Sequence, residues 1–187
     1  MYPVVLEAGP IWLREFAAED APAVQHFTGD LDVVQHMPLG PTDPGGAVEY
    51  VAELCLQAER PERDSYTLAI VERDGPVVGA AALTIDSRSH RRGELGYLLR
   101  RDRWGLGYGA LAAEAMMRFG FEQLGLYRVW AVCDPDNAAS QRVLEQIGMQ
   151  REGVLRGDMM IRDQRRDSVM YARLADDPGP GPEGAYL

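Results

Sequence analysis

Leu98-Leu99-Arg100-Arg101-Asp102-Arg103-Trp104-Gly105-Leu106-Gly107-Tyr108-Gly109 is the stretch from which the rest of the chain can be read. An apolar run, residues 95–99, leads into it, and a helical pattern leads out. Between them glycines stand at alternate positions, 105, 107 and 109. Such a loop exposes successive backbone N–H groups with no side chain in the way. A helix N-terminus directly behind it adds a partial positive charge. The combination reads as a seat for a phosphate or pyrophosphate, beside its plain reading as a glycine-rich strand-to-helix turn with no ligand. It is not a P-loop, because no Gly-Lys-Ser/Thr follows, and the Gly-x-Gly-x-Gly spacing is not the dinucleotide fingerprint Gly-x-Gly-x-x-Gly.

Working outward, residues 94–99 form the strand that feeds the loop, and residues 109–124 form the long helix behind it, with Leu111, Ala112, Ala115, Met116 and Phe119 as its apolar stripe. Upstream, the pattern predicts a strand over 10–16, a helix over 19–28 with Pro22 in its first turn, a loop over 37–46 and a helix over 47–58. In that second helix Val48, Val51, Ala52 and Cys55 are expected on one face, with Cys55 in the core. Strands over 66–72 and 77–84 make an antiparallel pair about the turn Arg73-Asp74-Gly75-Pro76. Downstream, residues 127–133 read as a buried central strand, 138–147 as a short helix, and 153–157 and 167–174 as two last strands. The order is β α α β β β α β α β β. It predicts a mixed α/β sheet of seven strands with helices on both faces.

Composition bounds the rest. The 187 residues carry 46% hydrophobic and 26% charged side chains and a net charge of −10. This is ordinary globular composition, and the acidic balance argues against nucleic acid as partner. One domain over residues 1–175 is expected, followed by a disordered acidic Pro/Gly tail over 176–187. The two cysteines, Cys55 and Cys133, have no disulfide spacing. With no signal peptide and no membrane span in the sequence, a cytoplasmic protein is expected. His26, His36 and His90 lack metal-ligand spacing, so no metal is expected.

The segment Trp104-Gly-Leu-Gly107-Tyr-Gly109 resembles the Gln/Arg-x-x-Gly-x-Gly/Ala motif of the GCN5-related N-acetyltransferases, the GNAT family. Asn137-Ala-Ala-Ser140 through Gly148-Met149 resembles that family's Asn-x-x-Ser region, and residues 167–174 resemble the closing strand of its RimJ/RimL branch. The opening Leu13-Arg14-Glu15-Phe16 fits the same branch, so the resemblance spans roughly residues 10–174. It implies the GNAT-type, mostly antiparallel sheet and transfer of an acetyl group from acetyl-CoA, as co-substrate, to a primary amine. The acceptor classes it suggests are a protein N-terminus, a polyamine or an amine-bearing antibiotic. A homodimer is left open.

Two positions depart from the family pattern: Trp104 replaces the Gln/Arg that heads the loop, and Leu144 stands where many members place a proton-donating tyrosine. The resemblance assigns the pyrophosphate to the N–H groups of Gly105, Leu106, Gly107, Tyr108, Gly109 and Ala110, with Trp104 at the head of the cradle. It lays the pantetheine arm along Tyr97-Leu98-Leu99 and gives Asn137 a contact with the cofactor, beside its plain reading as a helix cap. Glu94 is the candidate base for the amine, on the strand face opposite Leu95, Tyr97 and Leu99. Tyr97 is a candidate wall of the acyl pocket. Ser140 is the candidate acid for the leaving thiolate, since it shares its helix face with Val143, Leu144 and Ile147. Cys133 reads as core, and the acceptor pocket is expected from residues 26–46 and a loop over 157–166. Two other readings compete: a non-catalytic acyl-CoA-binding module, and a loop that binds ATP.

Overall fold

The structure is a computed structural model, and it describes residues 2–38, 40–73 and 75–179. Its sheet has eight strands in the order β1-β2-β3-β4-β5-β6-β8-β7. Their ranges are β1 Val5–Ala8, β2 Ile11–Glu15, β3 Ser65–Glu72, β4 Val77–Ser87, β5 Arg92–Leu99, β6 Arg128–Cys133, β7 Gln150–Ile161 and β8 Gln164–Leu174. All neighbours are antiparallel except β5 and β6, which run parallel. The helices are α1 Ala21–Thr28, α2 Leu31–Val34, α3 Pro44–Ala58, α4 Tyr108–Glu122 and α5 Ala138–Gln146.

Each face of the sheet has its own core. On one, Leu13, Leu68, Leu83 and Leu95 pack with Ala112, Met116 and Phe119 of α4 and with Leu144 and Ile147 at α5. On the other, Ala69, Ala80 and Phe16 pack with Val24 and Phe27 of α1 and with Ala47, Val51 and Leu54 of α3. Strand alternation sorts β5 between them: Leu95, Tyr97 and Leu99 join the α4–α5 face, while Leu98 joins the α1–α3 face.

Several expectations are corrected. The sheet has eight strands rather than seven, because the four-residue edge strand β1 pairs with β2 from Val5↔Arg14 to Ala8↔Ile11. Helix α3 begins at Pro44, with Asp43 Oδ1 capping it through Gly46 N–H, and its buried face is Ala47, Val51, Leu54 and Ala58. Val48 and Ala52 face solvent, and Cys55 is only half-buried, its thiol donating to Phe16 O. Residues 157–166 are not a loop. They are the ends of β7 and β8 around a tight turn at Arg162 and Asp163, both in the left-handed region. Of the expected tail, Asp176 and Asp177 are held in a turn, with Asp177 Oδ2 accepting from Leu174 N–H. Residues 180–187 lie outside the described residues.

Candidate active site

The site starts where two strands part. The β5–β6 ladder runs from Arg92↔Arg128 to Glu94↔Trp130. Beyond it β5 stays with β4 as far as Leu99↔Gly79, while β6 stays with β8 as far as Cys133↔Val169. A gap therefore opens between residues 95–99 and residues 131–133. Arg100 N–H donates to Val78 O at 2.8 Å. Alternation along that ladder turns the amide groups of Leu95, Tyr97 and Leu99 toward the gap, as they would face an added strand.

At the mouth of the gap lies the glycine loop. Gly105 and Gly107 have φ of +77° and +75°, and an added Cβ at either would meet nothing within 4 Å. The cradle is thus open on its outer side. Gly107 is the N-cap of α4 and offers no side chain to the first-turn N–H groups, which are left for a ligand. The loop is anchored from behind. Arg103 Nε donates to Glu72 Oε1 at 2.8 Å and Tyr108 Oη to the same oxygen at 3.2 Å, so Tyr108 can serve the cradle only through its backbone. Trp104 Nε1 donates to Leu99 O at 3.0 Å, fastening the head of the loop to the end of β5. Leu106 is exposed, and Ala110 is buried beneath the turn.

On the α4–α5 side, Tyr97 Oη lies 3.2 Å from Ser140 Oγ. Ser140 is in the first turn of α5, where its N–H donates to Asn137 Oδ1 at 3.0 Å. Asn137 is therefore a helix cap in this structure. Leu144, one turn on, is 1% exposed and fills the core. Burial pushes the Tyr97 phenol up to about 12 and the Cys133 thiol up to about 11, the Ser140 hydroxyl holding both back. So high a thiol is no nucleophile at neutral pH, which leaves Cys133 to packing.

Glu94 is on the other face, together with Gly96 and Leu98. It is half-buried, and its carboxyl is raised above the ordinary value by burial first, then by the charges of Asp86 and Asp158. Asp158 sits on a bulge of β7 between Leu155 and Met159, beside Gly157 at φ +59°. Asp86 pairs with Arg92 Nε at 2.8 Å. Among the described residues no cation pairs with Glu94.

The short helix α2 and the two residues after it are tied to the chain just beyond β5, just beyond β6 and at the β7–β8 turn. Asp32 pairs with Arg101, just after β5. His36 Nδ1 lies 3.2 Å from Asp134 Oδ2, just after β6. Arg162, at the β7–β8 turn, donates to Gln35 O at 2.9 Å and Val34 O at 3.0 Å. Asp134 also accepts from Arg166 Nη1 at 2.8 Å. Burial disfavours its charge, but Arg166, the Asp136 N–H and His36 outweigh it and hold the carboxyl below the usual range. Glu72, Arg103, Asp158 and the α2 clamp were not singled out in the sequence. The segment 31–36 alone carried a signal, as part of the stretch 26–46 expected to line the acceptor pocket.

Among the described residues, no group of three or more His, Cys, Asp or Glu side chains is placed to hold a metal ion. Among them no helix is long and apolar enough to cross a membrane.

Comparison with known proteins gives a consistent picture. Residues 11–150 match the family model described as an acetyltransferase (GNAT) domain. An uncharacterized N-acetyltransferase, p20, of Bacillus licheniformis is 28% identical over 166 residues, covering 87% of this chain and 91% of that protein. A spermidine N(1)-acetyltransferase of Escherichia coli is 28% identical over 117 residues, 60% of this chain and 63% of that one. The crystal structure of a GNAT-family acetyltransferase from Bacillus anthracis superposes with a TM-score of 0.83 at 26% identity, covering 93% of this chain and 100% of that one. Mycobacterium smegmatis RimJ, solved in complex with CoA-disulfide, shares the fold with a TM-score of 0.82 at 22% identity, over 94% of this chain and 89% of that one.

Proposed function

The chain belongs to the GNAT acetyltransferase family and is an acetyl-CoA-dependent acyltransferase, and from that premise we propose that it moves the acetyl group directly onto a primary amine held over Glu94. The observation that carries this reading is the gap between β5 and β6, with Glu94 on one face and Ser140 on the other.

In this reading the N–H groups of residues 105–110 hold the pyrophosphate, and the amide groups of Tyr97 and the N–H of Leu99, whose carbonyl Trp104 holds, pair with the pantetheine arm. Asn137 meets that arm through its amide nitrogen, since its oxygen caps α5. Tyr97 lines the acyl pocket. A backbone N–H of β5 stabilises the oxygen that becomes negative when the amine adds. The acceptor arrives as an ammonium ion, drawn by Glu94 and Asp158. Glu94, raised toward neutrality by its surroundings, takes its proton, directly or through water. Sulfur departs on the Ser140 side.

Two properties of the acceptor face support a cationic amine. The charge of Asp158 stands close enough to Glu94 to raise its carboxyl, and the chain as a whole carries −10. Polyamines and protein N-termini both fit this chemistry. The spermidine enzyme of E. coli supports the first by likeness, and the resemblance of residues 13–16 and 167–174 to the RimJ/RimL branch supports the second.

The test is thiol release from acetyl-CoA against a panel of polyamines, N-terminal peptides and aminoglycosides. Turnover with at least one of them, with acetyl on the amine by mass, is the expected result. Saturable acetyl-CoA binding with no thiol released for any amine would instead assign the chain to a binding module.

A further inference from the structure

We propose that Tyr97 is a positioning residue for the leaving group: its hydroxyl, 3.2 Å from Ser140 Oγ, fixes the serine so that its own hydrogen is aimed at the departing sulfur. The inference deepens the acetyl-transfer reading and rests on it.

The family's usual tyrosine position is Leu144, which is 1% exposed and has no hydroxyl. A phenol reaches the same region from a different element, β5. Its ring has little freedom. It packs against the α4–α5 core, and the space where a Gly109 Cβ would sit is already only 3.2 Å from Tyr97 Cε2. A buried phenol that stays protonated needs an acceptor. Among the described residues Ser140 Oγ is the partner within hydrogen-bond distance, and burial keeps Tyr97 protonated over the working range. Once Ser140 accepts from Tyr97, its own hydrogen must point elsewhere. The Ser140 N–H is tied to Asn137, which fixes the serine in the first turn of α5.

The step balances as follows. The carbon–sulfur bond breaks and its electron pair goes to sulfur. Ser140 Oγ–H donates a hydrogen bond to that sulfur while Tyr97 Oη–H donates to Ser140. Glu94 takes the first proton of the ammonium before attack; the second, which the nitrogen loses as the carbon–sulfur bond breaks, reaches sulfur through water, giving CoA as thiol. Tyr97 acts only through Ser140 and never ionises.

The test titrates the thiol of CoA bound to the full-length protein, read by thiolate ultraviolet absorbance as a difference from the free protein. The neighbours Cys133, Glu145 and Tyr171 are common to every variant, and their own titration is subtracted. In the wild type the bound thiol should ionise at lower pH than in free CoA. Tyr97→Phe and Ser140→Ala should each raise that value by about one unit, and the double variant no further, because the pair acts as one device. In turnover each single variant should lose about tenfold in kcat, with KM for acetyl-CoA within about twofold. A Tyr97→Phe protein whose bound thiol titrates as in the wild type, or effects that add in the double variant, would overturn the proposal. The titration needs no acceptor, so failure to find an amine substrate would count against acetyl transfer alone.

Discussion

Glu94 and Trp130 form the last rung between β5 and β6, and Glu94 lies on the sheet face opposite Tyr97. The consequence is a division of labour across one strand. In the proposed mechanism, proton removal from the acceptor falls to the α1–α3 face and departure of sulfur to the α4–α5 face, with the thioester carbon placed where the strands part.

Glu94→Gln should lower kcat/KM for the amine by about a hundredfold. In the wild type the acid limb of the pH–rate profile should lie above the ordinary carboxylate range, because burial and the charges of Asp86 and Asp158 raise Glu94. The base works only when ionised, so activity falls as pH drops through that raised value, and the limb should vanish in the variant. Stability should move the other way. A carboxylate raised in the folded state is held at a cost above its folded pKa, and that cost is gone below the unfolded pKa. Glu94→Gln should therefore raise Tm at neutral pH and leave it unchanged at pH values well below the ordinary carboxylate range. Rate profiles and thermal melts of the same preparations check both.

Gly107→Ala should be harmful without any clash. Nothing lies within 4 Å of its added Cβ, so the penalty comes from φ of +75° alone. That strain costs about 1 kcal/mol, or relaxes by turning the N–H groups out of the cradle. A lowered Tm together with weaker CoA binding by calorimetry is the expected pair of results.

Glu72→Ala removes the acceptor shared by Arg103 and Tyr108 behind the loop. The contacts are partly exposed and individually weak, so the fold should survive. The loss should appear as a rise of about fivefold in KM for acetyl-CoA, with kcat little changed. Steady-state kinetics with acetyl-CoA varied at saturating amine separates the two.

Leu144→Tyr places a phenol where the family's tyrosine stands. Leu144 is 1% exposed in this chain, so the larger ring overfills the core. Loss of about 1–3 kcal/mol of stability by denaturant unfolding, with no gain in kcat, is expected.

How much of this was legible in the sequence depended on how local each feature is. The glycine loop, α4 and the Asn137–Ser140 turn are written in adjacent residues, and their positions were read from spacing alone. Strand alternation also placed Glu94 and Tyr97 on opposite faces. Strand β1 was missed because four residues with Val5 exposed leave no alternation to read. The lengths of β7 and β8 were missed because residues 150–166 are largely polar and exposed, held by pairing with a neighbour rather than by an apolar face. The parting of β5 from β6 has no local signature at all. It is a relation between two backbones, as is the approach of Asp158 to Glu94 across the sheet.

A crystal structure with a bisubstrate conjugate, CoA joined through an acetyl linker to an amine that supports turnover, tests the division across β5 most directly. The account predicts the pantetheine arm between residues 95–99 and 131–133, sulfur beside Ser140, and the amine on the opposite face within reach of Glu94. An amine limb seated on the Ser140 side, away from Glu94, would contradict it.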